Sequence, residues 1–175
     1  MTKAVFLDRD GVITKTVPVP GRHSRTPWTW EEFGYLPGVR QGLALLGGAG
    51  FLRIMISNQP DVVLGPMTEE IWSAIERRVE EECKLDDVYI CKHHPKIAPC
   101  ECRKPSPSML LHAAKKWDID LASSWMIGDT RSDVDAGIAA GCRTIIIDSD
   151  ENKEVSCDYR AKDLLEAANN IIASL

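Results

Sequence analysis

The stretch Ala4–Val12 constrains the fold of this chain more than any other part of its sequence. Its apolar run Ala4–Leu7 predicts a short buried strand, which two carboxylates, Asp8 and Asp10, and then Gly11 follow directly. Side chains at positions i and i+2 of an extended chain point to the same side, so the two acids start close together. Because neighbouring carboxylates repel each other, they favour a bound cation. We therefore expect a cation-binding site at the tip of the first strand.

Apolar runs alternate with helical patterns along the rest of the 175 residues. This alternation predicts an α/β fold, a Rossmann-like parallel sheet with helices on both faces. No linker, repeat or low-complexity segment interrupts the pattern, so a single domain, 1–175, is expected. The later predicted strands span 51–56, 88–91, 124–127 and 143–147, and the predicted helices span 39–50, 68–84, 108–117, 133–140 and 161–175.

Composition narrows the classes of partner. The net charge of −5 gives no general attraction to nucleic acid or to a membrane surface. No apolar stretch approaches the roughly 20 residues that cross a bilayer, and the N-terminal residues run straight into the first strand, without room for a signal peptide. We expect a cytoplasmic protein without a nucleic-acid or membrane partner. Since no heptad pattern or exposed apolar stripe is evident, a monomer is expected.

The proline-rich segment 13–37 shows neither a helical nor a strand period. It carries Trp28 and Trp30, together with basic residues such as Arg22 and Arg25. Loops of this length inside a domain are usually functional or disordered. We interpret the segment as a flap that faces the substrate; in the alternative interpretation, its tryptophans simply pack on the domain.

Polar residues follow several of the predicted strands, where ligands gather in parallel sheets. They are Asp8 and Asp10, Ser57 and Asn58, Arg103 and Lys104, and Asp129. Each residue alone is equally typical of a turn, a helix cap or an ordinary loop. Their occurrence in this order at successive strand ends indicates one shared ligand site.

This set contains the parts that phosphoryl transfer to a protein carboxylate requires. Asp8 is the candidate nucleophile, and Asp10 is near enough to protonate the leaving oxygen and later to activate water. Mg²⁺ prefers oxygen ligands, and Asp8, the backbone carbonyl of Asp10 and Asp129 could supply three. Asp133, at a helix start, could support the metal shell or orient a lysine.

Two further residues could hold the phosphoryl group itself. The Lys104 ammonium and the Ser57 hydroxyl are both suited to its oxygens. The expected substrate is therefore a small phosphorylated metabolite. An alternative of another class is a non-catalytic module that accepts phosphate on Asp8, although such a switch has no need of an acid at the position of Asp10.

Three thiols and one imidazole within twelve residues match a closed, tetrahedral Cys₃His zinc site. The predicted ligands are Cys91, His93, Cys100 and Cys102. Zinc would be structural here, and because Cys102 directly precedes Arg103 and Lys104, it would fix the backbone of this loop, 91–104. His94 is the second choice of imidazole ligand. Reduced loop cysteines or one disulfide are the alternatives to a metal site.

The polar set resembles the four motifs of the haloacid dehalogenase superfamily of phosphatases. These motifs correspond here to Asp8-Arg9-Asp10-Gly11, Ser57-Asn58-Gln59, Arg103-Lys104-Pro105 and Gly128-Asp129-x-x-x-Asp133. The resemblance implies a two-step, Mg²⁺-dependent hydrolysis through an aspartyl phosphate. The spacings between the motifs leave no room for a large cap domain, so a capless member is expected.

The cysteine and histidine arrangement is similar to that of D-glycero-D-manno-heptose 1,7-bisphosphate phosphatases and of histidinol-phosphate phosphatase domains. By this resemblance, Asn58 and Arg103 help to bind substrate phosphate, and removal of the 7-phosphate of the heptose bisphosphate is the preferred reaction. Histidinol phosphate is the alternative substrate. The sequence departs from those enzymes around the substrate, with Val12 in place of the usual threonine and Thr130 in place of the usual lysine or arginine.

A second substrate phosphate requires a second group of cations. The candidates are Arg22, His23, Arg25, Arg103 and Arg131. An amine substrate would instead require acids in the flap, where Glu31 and Glu32 are available.

Overall fold

The first strand, β1 (Lys3–Leu7), lies inside a sheet whose strands all run parallel. The structure is a computed structural model that describes residues 2–21, 24–94, 96–97 and 99–175. The other strands in these ranges are β2 (Phe51–Asn58), β3 (Asp87–Cys91), β4 (Trp125–Gly128), β5 (Arg143–Ile147) and β6 (Tyr159–Ala161). Their order in the sheet is β3-β2-β1-β4-β5-β6. The carboxyl end of β1 therefore lies between those of β2 and β4.

Helices cover both faces of this sheet. They are α1 (Val39–Gly48), α2 (Asp61–Leu64), α3 (Glu69–Cys83), α4 (Ser108–Trp117), α5 (Arg131–Ala140) and α6 (Leu164–Ala173). Alternate residues of β1 enter two cores, because successive strand side chains point to opposite faces. Val5 and Leu7 pack with residues of α1, α3 and α6, whereas Ala4 and Phe6 pack with residues of α4 and α5. The predicted α/β fold, with a parallel sheet between two helical layers, is confirmed.

Several element boundaries differ from the predicted ones. The sixth strand, β6, was not expected, and the terminal helix predicted from 161 begins only at Leu164, because the Asp163 side chain caps it by accepting a hydrogen bond from the Glu166 amide. The strand predicted over 51–56 extends to Asn58, so Ser57 and Asn58 belong to the end of β2. The short helix α2 follows it directly.

The segment 13–37 packs against the domain through its aromatic residues. The Trp28 indole donates a hydrogen bond to Asp61 on α2 at 2.8 Å, and Trp30 lies edge-on to Phe33 below the guanidinium of Arg78 on α3. Trp28 is partly buried and matches the alternative interpretation, whereas Trp30 is 40% exposed. The segment still reaches the ligand side of the sheet, because Thr16 and Ser24 line a cavity there. Residues 22 and 23, two candidates for a cationic cluster, lie outside the described residues.

The helices in the described ranges are all too short or too polar to span a bilayer.

Candidate active site

Lys104 lies at the centre of the polar residues that follow the strands. Its side chain is 1% exposed, and its Nζ lies 2.9 Å from Oδ1 of Asp8 and 2.5 Å from Oδ1 of Asp133. The same ammonium donates a hydrogen bond of 2.7 Å to the carbonyl of Ile56. Although burial alone would favour the neutral amine, the Asp133 and Asp8 carboxylates raise the pKa of Lys104 to about 12. The site therefore holds a permanent buried positive charge beside Asp8.

Asn58 fixes the backbone that presents this lysine. Its side-chain amide donates to the Lys104 carbonyl at 3.2 Å, and its side-chain oxygen accepts from the Lys104 amide at 3.1 Å. This pair of bonds joins the end of β2 to the loop that follows β3. Asn58 thus contacts the backbone of a cationic residue, whereas the resemblance implies that it binds substrate phosphate.

Asp8, Asp129 and Asp133 form a cluster. Each offers one carboxylate oxygen, and these three oxygens lie within 4.8 Å of one another. Burial, followed by the neighbouring carboxylates, raises the pKa of Asp129 to about 8. Burial also raises the pKa of Asp8 to about 7, with Lys104 opposing this change. Burial is the larger cause of both shifts, and the neighbouring carboxylates add to it; a hard cation with oxygen ligands would offset this crowded negative charge. The donor set therefore fits Mg²⁺.

Gly11 allows the first and fourth motifs to meet closely. It has a φ of 81°, in the left-handed region, and a Cβ at this position would lie 2.0 Å from Oδ2 of Asp129. Only glycine satisfies both conditions at this point of the chain. The turn after β1 therefore leaves the space that the Asp129 carboxylate occupies.

Asp133 also closes the start of α5. Its Oδ2 accepts hydrogen bonds from the Thr130 amide at 3.0 Å and from the Thr130 hydroxyl at 2.6 Å. Its Oδ1 contacts Lys104, so one fully buried carboxylate both caps a helix and orients the lysine. Thr130 thus stabilises the helix start. In the enzymes that the sequence resembles, a lysine or arginine is usual at this position.

The Asp10 side chain is not part of the carboxylate cluster and pairs with Arg9 instead. Its oxygens accept bonds from Nη2 of Arg9 at 2.9 Å, from Gln59 at 2.7 Å and from the Thr14 hydroxyl at 2.9 Å. Burial opposes ionisation, but the Arg9 guanidinium prevails and lowers the pKa of Asp10. Ligation of Mg²⁺ by Asp10 was expected through its backbone carbonyl and stays a prediction.

Sequence reasoning did not assign a role to Arg9, Gln59 or Glu76. Arg9 is 1% exposed, and its guanidinium pairs with Asp10 and Glu76 and also contacts the Thr26 hydroxyl of the flap. Gln59 is equally buried, between Asp10 and Ser57. For Arg9 and Gln59, the signal available in the sequence was a polar residue directly beside a predicted site residue, which is too common to be diagnostic; Glu76 has no such neighbour.

Asn152 is a fourth residue to which sequence reasoning assigned no role. It is 3% exposed, and its side-chain amide donates to the carbonyls of Asp129 at 2.9 Å and Ile147 at 2.7 Å. Its oxygen accepts from Arg160 on β6 at 2.9 Å. The loop after β5 is thereby attached to the end of β4, beside the Asp129 carboxylate.

A cavity of about 710 Å³ opens next to Asp129, between the flap and the loop after β5. Its walls include Thr16, Ser24, Arg131 and Lys153. Arg131 is exposed and forms no ion pair with any residue that the structure describes. Lys153, by contrast, pairs with Asp150. The cavity can therefore offer a free cation to the part of a substrate that lies beyond the carboxylates.

Two of the flap candidates, Arg25 and Glu32, pair with each other. Arg25 forms two hydrogen bonds with Glu32, at 2.8 and 2.5 Å, and stacks 3.8 Å above the Trp28 ring. Because Glu32 already pairs with Arg25, its carboxylate is not available to bind a substrate amine. Arg103 is half-buried near the His93 carbonyl, at 3.5 Å.

The four predicted zinc ligands lie together at the end of β3. Cys91, His93, Cys100 and Cys102 each offer one ligand atom, and these atoms lie within 4.8 Å of one another. Nδ1 of His93 is 3.1 Å from Sγ of Cys102, and Sγ of Cys91 is 3.7 Å from Sγ of Cys100. His94 is not in the cluster, and its ring accepts a bond from the Lys96 amide instead. Three thiols and one imidazole are a donor set that suits Zn²⁺.

Comparison with known proteins agrees with this geometry. A model of the HAD-hydrolase-like family matches residues 101–172. The chain is 37% identical, over 79% of both chains, to a D-glycero-beta-D-manno-heptose-1,7-bisphosphate 7-phosphatase of Rhodopseudomonas palustris. It is 31% identical, over 96% of its own length and 95% of the relative's, to a D-glycero-alpha-D-manno-heptose-1,7-bisphosphate 7-phosphatase of Campylobacter jejuni.

A solved structure shows the same architecture. The D,D-heptose 1,7-bisphosphate phosphatase of B. bronchiseptica, in complex with magnesium and phosphate, superposes with a TM-score of 0.85 at 25% identity, covering 99% of this chain and 100% of that one. Sequence similarity, fold and the carboxylate site point to the same family. The chain therefore belongs to the haloacid dehalogenase superfamily of phosphatases, in the family of the heptose-bisphosphate phosphatases, and it is a phosphoric monoester hydrolase.

Proposed function

We propose that this chain is a Mg²⁺-dependent phosphatase that removes the 7-phosphate of D-glycero-D-manno-heptose 1,7-bisphosphate. The observation that carries the proposal is the position of Asp8. Its carboxylate contacts the buried Lys104 ammonium at 2.9 Å and shares a cluster with Asp129 and Asp133. A nucleophile, a cation for the phosphoryl oxygens and a set of metal ligands thus meet beside a cavity that can accept the leaving group.

In the first step, an oxygen of Asp8 attacks the phosphorus, and the bond between phosphorus and the sugar oxygen breaks. Asp10 gives its proton to that oxygen, which leaves as the alcohol. Lys104 and the Ser57 hydroxyl hold the oxygens of the transferring group, whose charge they stabilise. An aspartyl phosphate on Asp8 results.

In the second step, Asp10 accepts a proton from a water molecule that attacks the phosphorus of the aspartyl phosphate. The bond between phosphorus and Asp8 breaks, and inorganic phosphate leaves. The low pKa that Arg9 imposes on Asp10 suits this step, since Asp10 must begin it ionised. The first step requires the protonated form, which this low pKa disfavours, so we expect turnover to fall already as the pH rises from the acidic range.

Asp8, Asp129 and the backbone carbonyl of Asp10 would hold Mg²⁺, with Asp133 behind them. When bound, Mg²⁺ offsets the charge of the carboxylates and of the phosphoryl group. Asp133 is placed to support this site indirectly, because it holds Lys104 and the start of α5.

Cys91, His93, Cys100 and Cys102 would hold a structural Zn²⁺. Four protein ligands leave no open position, so this ion would not act on the substrate. Cys102 is followed directly by Arg103 and Lys104, and Lys104 reaches Asp8. The proposed zinc site therefore stabilises the loop that presents the buried lysine.

The proposed substrate rests on the relatives, which are heptose 1,7-bisphosphate 7-phosphatases by name. Their names include both the beta and the alpha anomer of the sugar phosphate. The second phosphate of either anomer would require a free cation, and Arg131 on the cavity wall is available for it. Arg103, which directly precedes Lys104 in the sequence, is the second candidate. Arg25 is excluded by its pairing with Glu32.

The test compares turnover of the two heptose bisphosphate anomers, fructose bisphosphate and histidinol phosphate in the presence of Mg²⁺. We expect the highest kcat/KM for a heptose 1,7-bisphosphate, with release of the 7-phosphate. Preference for histidinol phosphate would contradict the proposed substrate.

Asp8→Asn tests the nucleophile in the same assay. This nearly isosteric variant should release no phosphate from any ester, while its zinc content and thermal stability stay close to those of the unmodified protein. Equal phosphate release by both proteins would overturn the role of Asp8. A non-catalytic acceptor of phosphate would instead label Asp8 without turnover.

A further inference from the structure

Gln59 contacts two of the proposed site residues with a single amide nitrogen. This side chain is 1% exposed, at the point where β2 ends. Its Nε2 lies 2.7 Å from Oδ2 of Asp10 and 2.9 Å from Oγ of Ser57. One buried amide thus connects the proposed acid and base with the proposed phosphoryl-binding hydroxyl.

The orientation of this amide is determined by its neighbours. Its oxygen lies 2.7 Å from Nη2 of Arg9, and a guanidinium can only donate hydrogen bonds. The carboxylate of Asp10 on the other side can only accept when it is ionised. The amide oxygen must therefore face Arg9, and the amide N–H groups must face Asp10 and Ser57.

This orientation decides what the Ser57 hydroxyl can do. Its oxygen accepts a hydrogen bond from Gln59, so its own proton must point in another direction. Among the residues that the structure describes, none accepts that proton. The Ser57 hydroxyl is therefore held as a donor, which is the role that an incoming phosphoryl oxygen requires.

We propose that Gln59 is a positioning residue of the phosphatase: it directs the Ser57 proton towards the transferring phosphoryl group and holds the Asp10 carboxylate for proton transfer. The proposal rests on the proposed function of the site. Gln59 does not itself touch the substrate. It is suited to this role because its backbone amide is also fixed, through a 2.7 Å bond to the carbonyl of Cys91 at the end of β3.

Two substitutions of similar size separate positioning from packing. Gln59→Met fills the space without hydrogen bonds, and Gln59→Glu replaces the donor nitrogen with an acceptor oxygen. With Gln59→Glu, the Ser57 proton would turn to the new carboxylate, and Asp10 would face a second negative charge. A packing role predicts that both variants keep their activity, whereas a positioning role predicts that both lose it. Gln41→Glu, at an exposed glutamine of α1, is the matched control.

Two substrates distinguish the effect of Gln59 on Ser57 from its effect on Asp10. A heptose bisphosphate needs a proton on its leaving oxygen, whereas p-nitrophenyl phosphate releases a phenolate without one. Because kcat/KM reports the steps up to phosphoryl transfer, loss of the proton donor affects it only for the sugar. We expect kcat/KM of the Gln59 variants to fall about 100-fold for the heptose bisphosphate, the lower end of the range for general acid catalysis. For the aryl ester we expect a loss of kcat/KM that is roughly ten times smaller, because only the effect of Gln59 on Ser57 remains.

The controls make the outcomes decisive. Zinc content and melting temperature show whether each variant is folded, and Gln41→Glu should match the unmodified protein on both substrates. Activity of both Gln59 variants within about three-fold of the unmodified protein would overturn the proposal, as would equal losses on the two substrates. An unmodified protein that hydrolyses neither ester would instead contradict the proposed function itself.

Discussion

The side-chain amide of Asn152 donates a 2.9 Å hydrogen bond to the backbone carbonyl of Asp129. Asn152 belongs to the loop after β5, and Asp129 follows β4, so this bond joins two neighbouring strand ends. It holds in place the backbone that carries one of the proposed Mg²⁺ ligands. Arg160 supports the arrangement from β6 by donating to the Asn152 oxygen.

Asn152→Ala should weaken Mg²⁺ binding. Loss of the amide frees the Asp129 backbone, and changes to residues that support metal ligands typically lower metal affinity about 10-fold or more. The two carbonyls left without a donor should also lower the free energy of unfolding by about 1–3 kcal/mol. Calorimetric titration with Mg²⁺ and denaturant unfolding measure the two effects. Asn169→Ala, at an exposed position of α6, is the matched control and should change neither.

Gly11→Ala should abolish activity. The added Cβ would lie 2.0 Å from Oδ2 of Asp129, so the carboxylate must leave its position or the turn after β1 must change. Either movement separates the parts of the metal site. We expect loss of Mg²⁺ binding in the same titration, together with loss of phosphate release.

Gly50→Ala is the control that measures the free-energy cost of a positive φ without the clash. Gly50 also has a positive φ, 83°, but a Cβ there would meet nothing within 4 Å. It should therefore lose only about 1–2 kcal/mol of stability, with full activity. Similar activity of the two variants would show that the contact with Asp129 does not matter.

Stabilisation by Mg²⁺ should increase with pH. The pKa values of Asp8, about 7, and Asp129, about 8, lie well above their ordinary value of 3.8. In the metal-free protein, the unfolded chain releases these protons first, so the two carboxyls stabilise the fold at acidic pH, and this contribution is lost as pH rises towards 8. Mg²⁺ binds the ionised forms. At one fixed Mg²⁺ concentration, the rise in melting temperature should be larger near pH 8 than near pH 6.

The variant Asp129→Asn provides the control for this pH effect. It removes one of the two carboxyls, so Mg²⁺ should stabilise it less, and with a weaker dependence on pH. Equal stabilisation of the unmodified protein at both pH values would contradict the proposed ligands.

Cys100→Ser should release the proposed zinc. Elemental analysis after dialysis should find one equivalent of zinc in the unmodified protein and substantially less in the variant. Because binding of a structural metal is coupled to folding, the melting temperature should fall together with the zinc content. Phosphate release should also fall, since the loop that carries Lys104 loses its support. Cys157→Ser, outside the cluster, should keep its zinc. Full activity after complete loss of zinc would overturn the link to Lys104.

The fold was predictable because its signals are local. The apolar run Ala4–Leu7 indicates a strand that is buried on both faces, and the structure buries all four residues completely. The strand β6 was missed because Tyr159–Ala161 is only three residues long and two of its side chains are exposed, which leaves no apolar period to detect.

The candidate site was predictable only where a residue type has a recognised chemistry. Asp8, Lys104 and Asp129 combine carboxylates or an ammonium with strand ends, and the structure brings them together. Gln59 and Asn152 carry amides, which occur throughout surfaces and turns. Their importance comes from burial and from partners that are distant in sequence, such as Asp10 for Gln59, 49 residues away. Those relationships exist only after the chain has folded.

The order of the strands places the proposed chemistry in the middle of the sheet and its supports at the sides. The zinc-ligand loop follows β3, which is one edge of the sheet, and the loop that carries Asn152 follows β5, on the opposite side of β1. Asp8 itself belongs to neither flank. A change in the length or composition of one flank would therefore reach the catalytic centre through Lys104 or through the backbone of Asp129, while the strand that carries Asp8 keeps its place between β2 and β4.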